Sequence, residues 1–72
     1  MTLIVLNHTG HTEQELDTEA MIAALEREMN GGGKVIVAEA PGAEPAYLRT
    51  PADARDLAPD ARVTVMPQLM GG

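Results

Sequence analysis

The chain has 72 residues, a formal net charge of −6 from 11 acidic and 5 basic side chains, and no cysteine. That length makes one domain near the lower limit of what folds alone, with a small core and no room for a deep catalytic cleft. The acidic balance excludes a nucleic-acid interface built on phosphate neutralisation, and the missing cysteine excludes disulfides, thiolate metal sites and a cysteine nucleophile.

Tyr47 is the single aromatic residue, so the core must be built from Val, Ile, Leu, Met and Ala. No segment combines a basic start with a long apolar run, and none approaches the length of a membrane span, so the expectation is a cytoplasmic protein with no membrane contact. Thr2-Leu3-Ile4-Val5-Leu6 is a continuous apolar run that predicts a strand covered on both faces or placed centrally. Asn7-His8-Thr9-Gly10 fits a three-residue hairpin loop with glycine in the left-handed position, and His11 to Asp17 then returns as a second strand. That strand offers only Leu16 to the core.

Thr12 and Glu15 have the spacing of a capping box, which would start a helix there. Helical geometry argues against it: Met21, Ile22, Leu25 and Met29 share one face at about 100° per residue, and Leu16 would point away from Leu25. The helix is therefore expected from Glu19 to Met29 with Asp17 or Thr18 as N-cap, Glu19 near the positive helix end, and Asn30-Gly31-Gly32-Gly33 as its stop. The triple glycine beside Lys34 is no phosphate loop, because such a loop precedes its helix.

Lys34 to Glu39 reads as the third strand, Pro41 to Pro45 as a turn, and Ala46-Tyr47-Leu48-Arg49 as a short fourth strand. Thr50-Pro51 looks like an N-cap followed by proline at the first position of a helical turn running to Leu57, which would be its buried anchor. Arg62 to Met66 alternates as the last strand. Pro67 cannot donate to a ladder, so the strand should end there, with Gln68-Leu69-Met70-Gly71-Gly72 as a free tail. This divides the chain into a domain over 1–66 and a flexible tail over 67–72.

Strand, hairpin, strand, helix, strand, short strand, helical turn, strand is the element order of the β-grasp fold. Met1-Thr2-Leu3-Ile4-Val5, the turn Thr9-Gly10-His11-Thr12, the position of Leu57 and the ending Gly71-Gly72 together resemble ubiquitin and its relatives. The resemblance implies an α+β fold, a mixed four- to five-stranded sheet with one helix packed on it and a C-terminal diglycine tail. The ending Val63-Thr64-Val65-Met66-Pro67-Gln68-Leu69-Met70-Gly71-Gly72 also resembles the small sulfur carriers of thiamine and molybdopterin synthesis, and it lacks the basic tail residues of eukaryotic ubiquitin.

For function, the resemblance implies a modifier that is not itself an enzyme. An activating enzyme using ATP and Mg²⁺ would recognise Gln68, Leu69, Met70 and Gly71 and adenylate the Gly72 carboxylate. A conjugating enzyme would pass it to a target amine or hydroxyl, with a deconjugating peptidase as a further partner. The carrier reading has the same adenylate become a thiocarboxylate, and a third has a plain binding module with an accidental diglycine. Glycine lacks a Cβ, so a Gly-Gly end can thread a narrow channel.

The resemblance also points at His8, Tyr47 or Leu48, and Met66 as an exposed apolar docking patch, the alternative being that Leu48 is core. Lys34, the only lysine, and the Met1 amine are the two amines through which chains could be linked. His8 and His11 lack a third ligand nearby and are expected to bind no metal. No serine is present and no Ser or Cys pairs with a His, so nucleophilic catalysis within the chain is excluded, and no cofactor is expected to be bound by it.

Overall fold

The structure is a computed structural model that describes residues 1–7 and 10–67. In chain order it contains β1 (Thr2–Asn7), β2 (Gly10–Glu15), α1 (Thr18–Asn30), β3 (Lys34–Glu39), β4 (Ala46–Tyr47), a 3-10 helix (Pro51–Asp56) and β5 (Arg62–Pro67). The class is α+β: a mixed 5-stranded sheet of order β2-β1-β5-β3-β4 with α1 packed on one face. Strand β1 pairs antiparallel with β2 and parallel with β5, and β5 pairs antiparallel with β3. Strands β2 and β3 therefore run the same way, and α1 is the crossover that a parallel return requires.

The helix forms as its sequence dictates. Asp17 caps it, its carboxylate accepting the Ala20 N–H at 2.8 Å, and Met21 and Leu25 are fully buried. Ile22 and Met29 flank them, half-buried against the same cluster. Beyond the helix, Gly32 and Gly33 turn the chain with φ of 69° and 64°. Only glycine adopts that conformation freely, which is why the triple glycine is the stop. Below the helix lie Leu3, Ile36, Ala38, Val63 and Val65, with Ala54 of the 3-10 helix closing one side. Among the described residues no polar side chain is buried.

Several boundaries differ from expectation. Strand β2 stops at Glu15, and all six of its residues are exposed. Leu16 sits just beyond it, half-buried against the core, its N–H donating to the Met1 carbonyl at 2.8 Å. Asn7 pairs directly with Gly10, leaving only His8 and Thr9 between the strands, outside the described residues. Gly10, at φ 139°, has the glycine-favouring backbone expected of it but belongs to the ladder. Strand β4 covers only Ala46–Tyr47, although the Leu48 N–H still donates to Ile36 O at 2.9 Å and Leu48 packs against the core.

The anchor of the 3-10 helix is Ala54, fully buried, while Leu57 packs beside it only half-buried. Leu57 lies just past the helix in extended backbone, whereas Ala54 is within it. Pro67 is the last residue of β5 rather than the first outside it, opposite Lys34. Among the described residues no helix is long and apolar enough to cross a membrane.

Asp53 fixes the entry to the 3-10 helix, accepting the N–H groups of Arg49 at 2.9 Å and Thr50 at 3.1 Å. These donors hold its carboxyl below the ordinary 3.8. A depressed carboxylate contributes stability above its unfolded pKa and loses it as pH falls through the folded value. Asp53→Asn should therefore melt below the parent near neutral pH, with the gap closing below about pH 4 as the parent carboxyl protonates. Thermal melts followed by circular dichroism at both pH values check this, and a pH-independent gap contradicts it.

Leu25→Ala should destabilise the domain by about 2–5 kcal/mol, as for other fully buried leucines. A core this small supplies only about 3–5 kcal/mol in total. Urea titration should find the variant largely unfolded; a midpoint near the parent's would mean that Leu25 is not central to the core.

Candidate functional site

The sheet has two unequal faces. Paired residues share a face and neighbours along a strand alternate, so Leu3, Val5, Ile36, Ala38, Val63 and Val65 look at α1 while Ile4, Leu6, Val35, Val37, Thr64 and Met66 look the other way. This second face is covered by no element among the described residues. Its apolar side chains are half-buried by one another. Tyr47, opposite Val37, stands at its edge and is 74% exposed.

Of the four residues expected to form a docking patch, two meet here. Met66 and Tyr47 share the open face, whereas Leu48, next along the chain, packs against the core on the other side. Strand alternation is the physical reason, and between Tyr47 and Leu48 it puts Tyr47 on the open face and Leu48 in the core, the alternative given for it. His8 lies outside the described residues, as do Gln68, Leu69, Met70, Gly71 and Gly72. The face also contains residues the sequence reading did not single out as a surface: Ile4, Leu6, Val35 and Val37. The signal is the continuous apolar run of β1, which predicts a strand covered on both faces or placed centrally, and the apolar run of β3.

Charged groups lie along one end of this face and along its β2 edge. Glu13 and Glu15 on β2 and Glu39 on β3 fall on it by register, with Arg62 across from Glu39. Arg62 Nη2 lies 3.8 Å from Glu13 Oε1, and His11 Nε2 lies 3.9 Å from the same carboxylate.

The rim where β5 ends brings Pro67 opposite Lys34. Lys34 turns toward the helix side, its ammonium 3.5 Å from Glu28 Oε2 and its side chain 31% exposed. The Met1 amine is bound more firmly: it donates to the Leu16 carbonyl at 3.0 Å and lies 3.9 Å from Glu15, and the Met1 side chain is only 3% exposed. Two depressions beside the β3–β4 connection, of about 210 and 270 Å³, fall below the usual ~300 Å³ of a small-molecule site. Among the described residues no group of three or more His, Cys, Asp or Glu is placed to hold a metal ion.

The chain matches no family model, no curated protein and no solved structure.

The two amines should differ in reactivity. In an unstructured peptide an α-amine, with pKa near 7.7–8.0, acylates faster at neutral pH than lysine at about 10.4. In the folded chain the Met1 amine should lose that advantage, and urea should restore it. Acylation by a succinimidyl ester at about pH 7, read by peptide mass spectrometry, checks the order; Met1 reacting equally fast with and without urea would contradict it.

Proposed function

We propose that the chain is a ubiquitin-like modifier of the β-grasp type, presenting Gly72 as a terminal carboxylate whether it is made that way or trimmed to it. The observation that carries this reading is the placement of β5. The last strand pairs with the first in the middle of the sheet and closes at Pro67 on the rim, and Gly71-Gly72 follows a few residues further on in the sequence. The mixed sheet with one helix across it is compatible with that fold family.

With no cysteine in the chain and a diglycine ending, this reading assigns the chemistry to partners. The Gly72 carboxylate attacks the α-phosphate of ATP on an Mg²⁺-dependent activating enzyme, releasing pyrophosphate. The acyl group passes to that enzyme's nucleophile with loss of AMP, then to a target amine or hydroxyl directly or through a conjugating enzyme. A peptidase that cuts after Gly72 would reverse the step. Lys34 is the favoured site for linking one copy to another, since the Met1 amine is held by Leu16.

A sulfur carrier is the second reading, favoured by the resemblance of Met66-Pro67-Gln68-Leu69-Met70-Gly71-Gly72 to carrier endings and by the lack of any basic residue after Arg62. Here a sulfide-level sulfur nucleophile from a partner attacks the acyl-adenylate carbonyl and AMP leaves, so that Gly72 ends as a thiocarboxylate.

Incubation with ATP and the cognate activating enzyme, followed by intact-mass measurement, tests both. Deletion of Gly72 or its replacement by a bulkier residue should abolish activation and leave the domain folded; retained adenylation would sink the diglycine argument. In cells, trypsin cleaves after Arg62 and leaves Val63 to Gly72 on each target, so conjugates should carry that branched remnant. Absence of such peptides and ester adducts, with a terminal oxygen exchanged for sulfur, would replace the modifier by the carrier.

A further inference from the structure

The junction between α1 and its glycine stop carries chemistry of its own. Asn30 is the last residue of α1 and is exposed, and Gly31 follows it in right-handed backbone with φ −71° and ψ −16°. A side-chain amide thus sits next to a main-chain amide whose residue has no Cβ, so nothing on Gly31 crowds the approach of its nitrogen to Asn30 Cγ.

We propose that Asn30-Gly31 is a self-modifying site, at which the folded chain deamidates through a succinimide and the isoaspartate so formed loosens the joint between α1 and β3. The Gly31 nitrogen gives up its proton to solvent base and bonds to Asn30 Cγ, while the bond from Cγ to the side-chain nitrogen breaks and ammonia leaves. Water then opens the ring. Attack at Cγ gives aspartate in the ordinary main chain, whereas attack at the main-chain carbonyl gives isoaspartate, whose chain runs on through Cγ. The balance consumes one water and releases one ammonia, with no change of oxidation state.

Placement opens this reaction to the folded chain. Ring closure requires Asn30 to leave the helical ψ so that the Gly31 nitrogen swings toward its side chain, and in mid-helix the hydrogen bonds on either side prevent that. Helix ends fray, and the bonds to be given up here include the one from the Gly32 N–H to Met29 O, at 3.1 Å. Gly32 and Gly33 have no atom within 4 Å of where a Cβ would stand, so the chain beyond is free to follow the ring. Asn7, the other asparagine, is the contrast: it is paired with Gly10 in the β1–β2 ladder, and the residue after it, His8, has a side chain.

The product differs from the parent in two physical ways. A carboxylate replaces a neutral amide at the negative end of the helix dipole, where anions are disfavoured; Arg27, three residues back, offsets part of this. Isoaspartate also adds a methylene to the main chain, which puts the Gly32 N–H out of register with Met29 O at the point where Met29 packs against the core. The inference stands on the helix end alone and holds whether Gly72 is conjugated, thiocarboxylated or neither, so its failure leaves the tail chemistry untouched.

The full chain is aged in warm, mildly alkaline buffer and digested with trypsin, which releases residues 28–34 as one peptide. That peptide should show the mass gain of an amide turned into an acid and split into two chromatographic products, aspartate and isoaspartate, while the peptide containing Asn7 stays unchanged. The rate should climb with pH, since the attacking nitrogen must first lose its proton, and should be several-fold higher again in urea. Gly31→Ala should slow it several-fold. That variant is compatible with the fold, because Gly31 is right-handed and an added Cβ would lie 3.5 Å from Glu28 O, an ordinary contact. Asn30→Gln should abolish the conversion and keeps the test sharp if the alanine variant fails to fold. Purified isoaspartate chain should melt below both the parent and Asn30→Asp, which carries the charge without the extra methylene. Conversion of Asn30 only after unfolding, aspartate as the sole product, equal rates in the parent and Gly31→Ala, or an isoaspartate form as stable as Asn30→Asp would each overturn the proposal.

Discussion

The rest of the structure depends on the parallel pairing of the first strand with the last. Leu3 lies beside Val63 and Val5 beside Val65, and these side chains make the floor on which Met21 and Leu25 close. The two strands are separated by nearly the whole chain, so loop-closure entropy must be met before the floor exists. Until β5 docks, β1 and β2 form only a hairpin, and an isolated hairpin is marginal in water. The core is correspondingly all-or-none: it is small, contains no buried polar side chain among the described residues, and lacks the aromatic bulk that usually dominates core burial.

Strand order also decides what the surface offers. With a single helix, one face of the sheet is covered and the other is left open, and the central strands are apolar on both sides. Half-burial of Ile4, Leu6, Val35, Val37 and Met66 by one another limits their exposure without removing it. At the sheet edge, β2 exposes Glu13 and Glu15 and contributes no buried residue, and such charges discourage edge-to-edge pairing with another chain. The ion pairs Lys34–Glu28 and Arg55–Glu19 lie at the surface, where such pairs contribute little.

Fold and proposed function meet at the rim. Strand β5 delivers Pro67 to the edge beside Lys34, while the Met1 amine is drawn inward to Leu16. One end of the domain thus holds the exit of the chain and the accessible amine, and the open face borders the same rim through Leu6, Val35 and Met66. A domain without a cleft acts through its surfaces, and these two adjoin.

Local chemistry determined much of this from sequence. Asp17 before Glu19, the face shared by Met21, Ile22, Leu25 and Met29, and the glycine run after Asn30 specified the helix because capping, periodicity and backbone freedom act within a few residues. The β-branched runs at Lys34–Glu39 and Arg62–Met66 were legible for the same reason, as was the proline turn into the 3-10 helix. Which side of a strand meets the core is another matter, because both faces of β1, β3 and β5 are apolar and alternation carries no sign. Only the position of α1 across the sheet assigned Leu48 inward and Tyr47 outward, put Ala54 ahead of Leu57 as the anchor, left Leu16 outside β2, and converted apparently two-sided burial into an open apolar face. Those are consequences of long-range pairing between β1 and β5, and no window of sequence contains both strands.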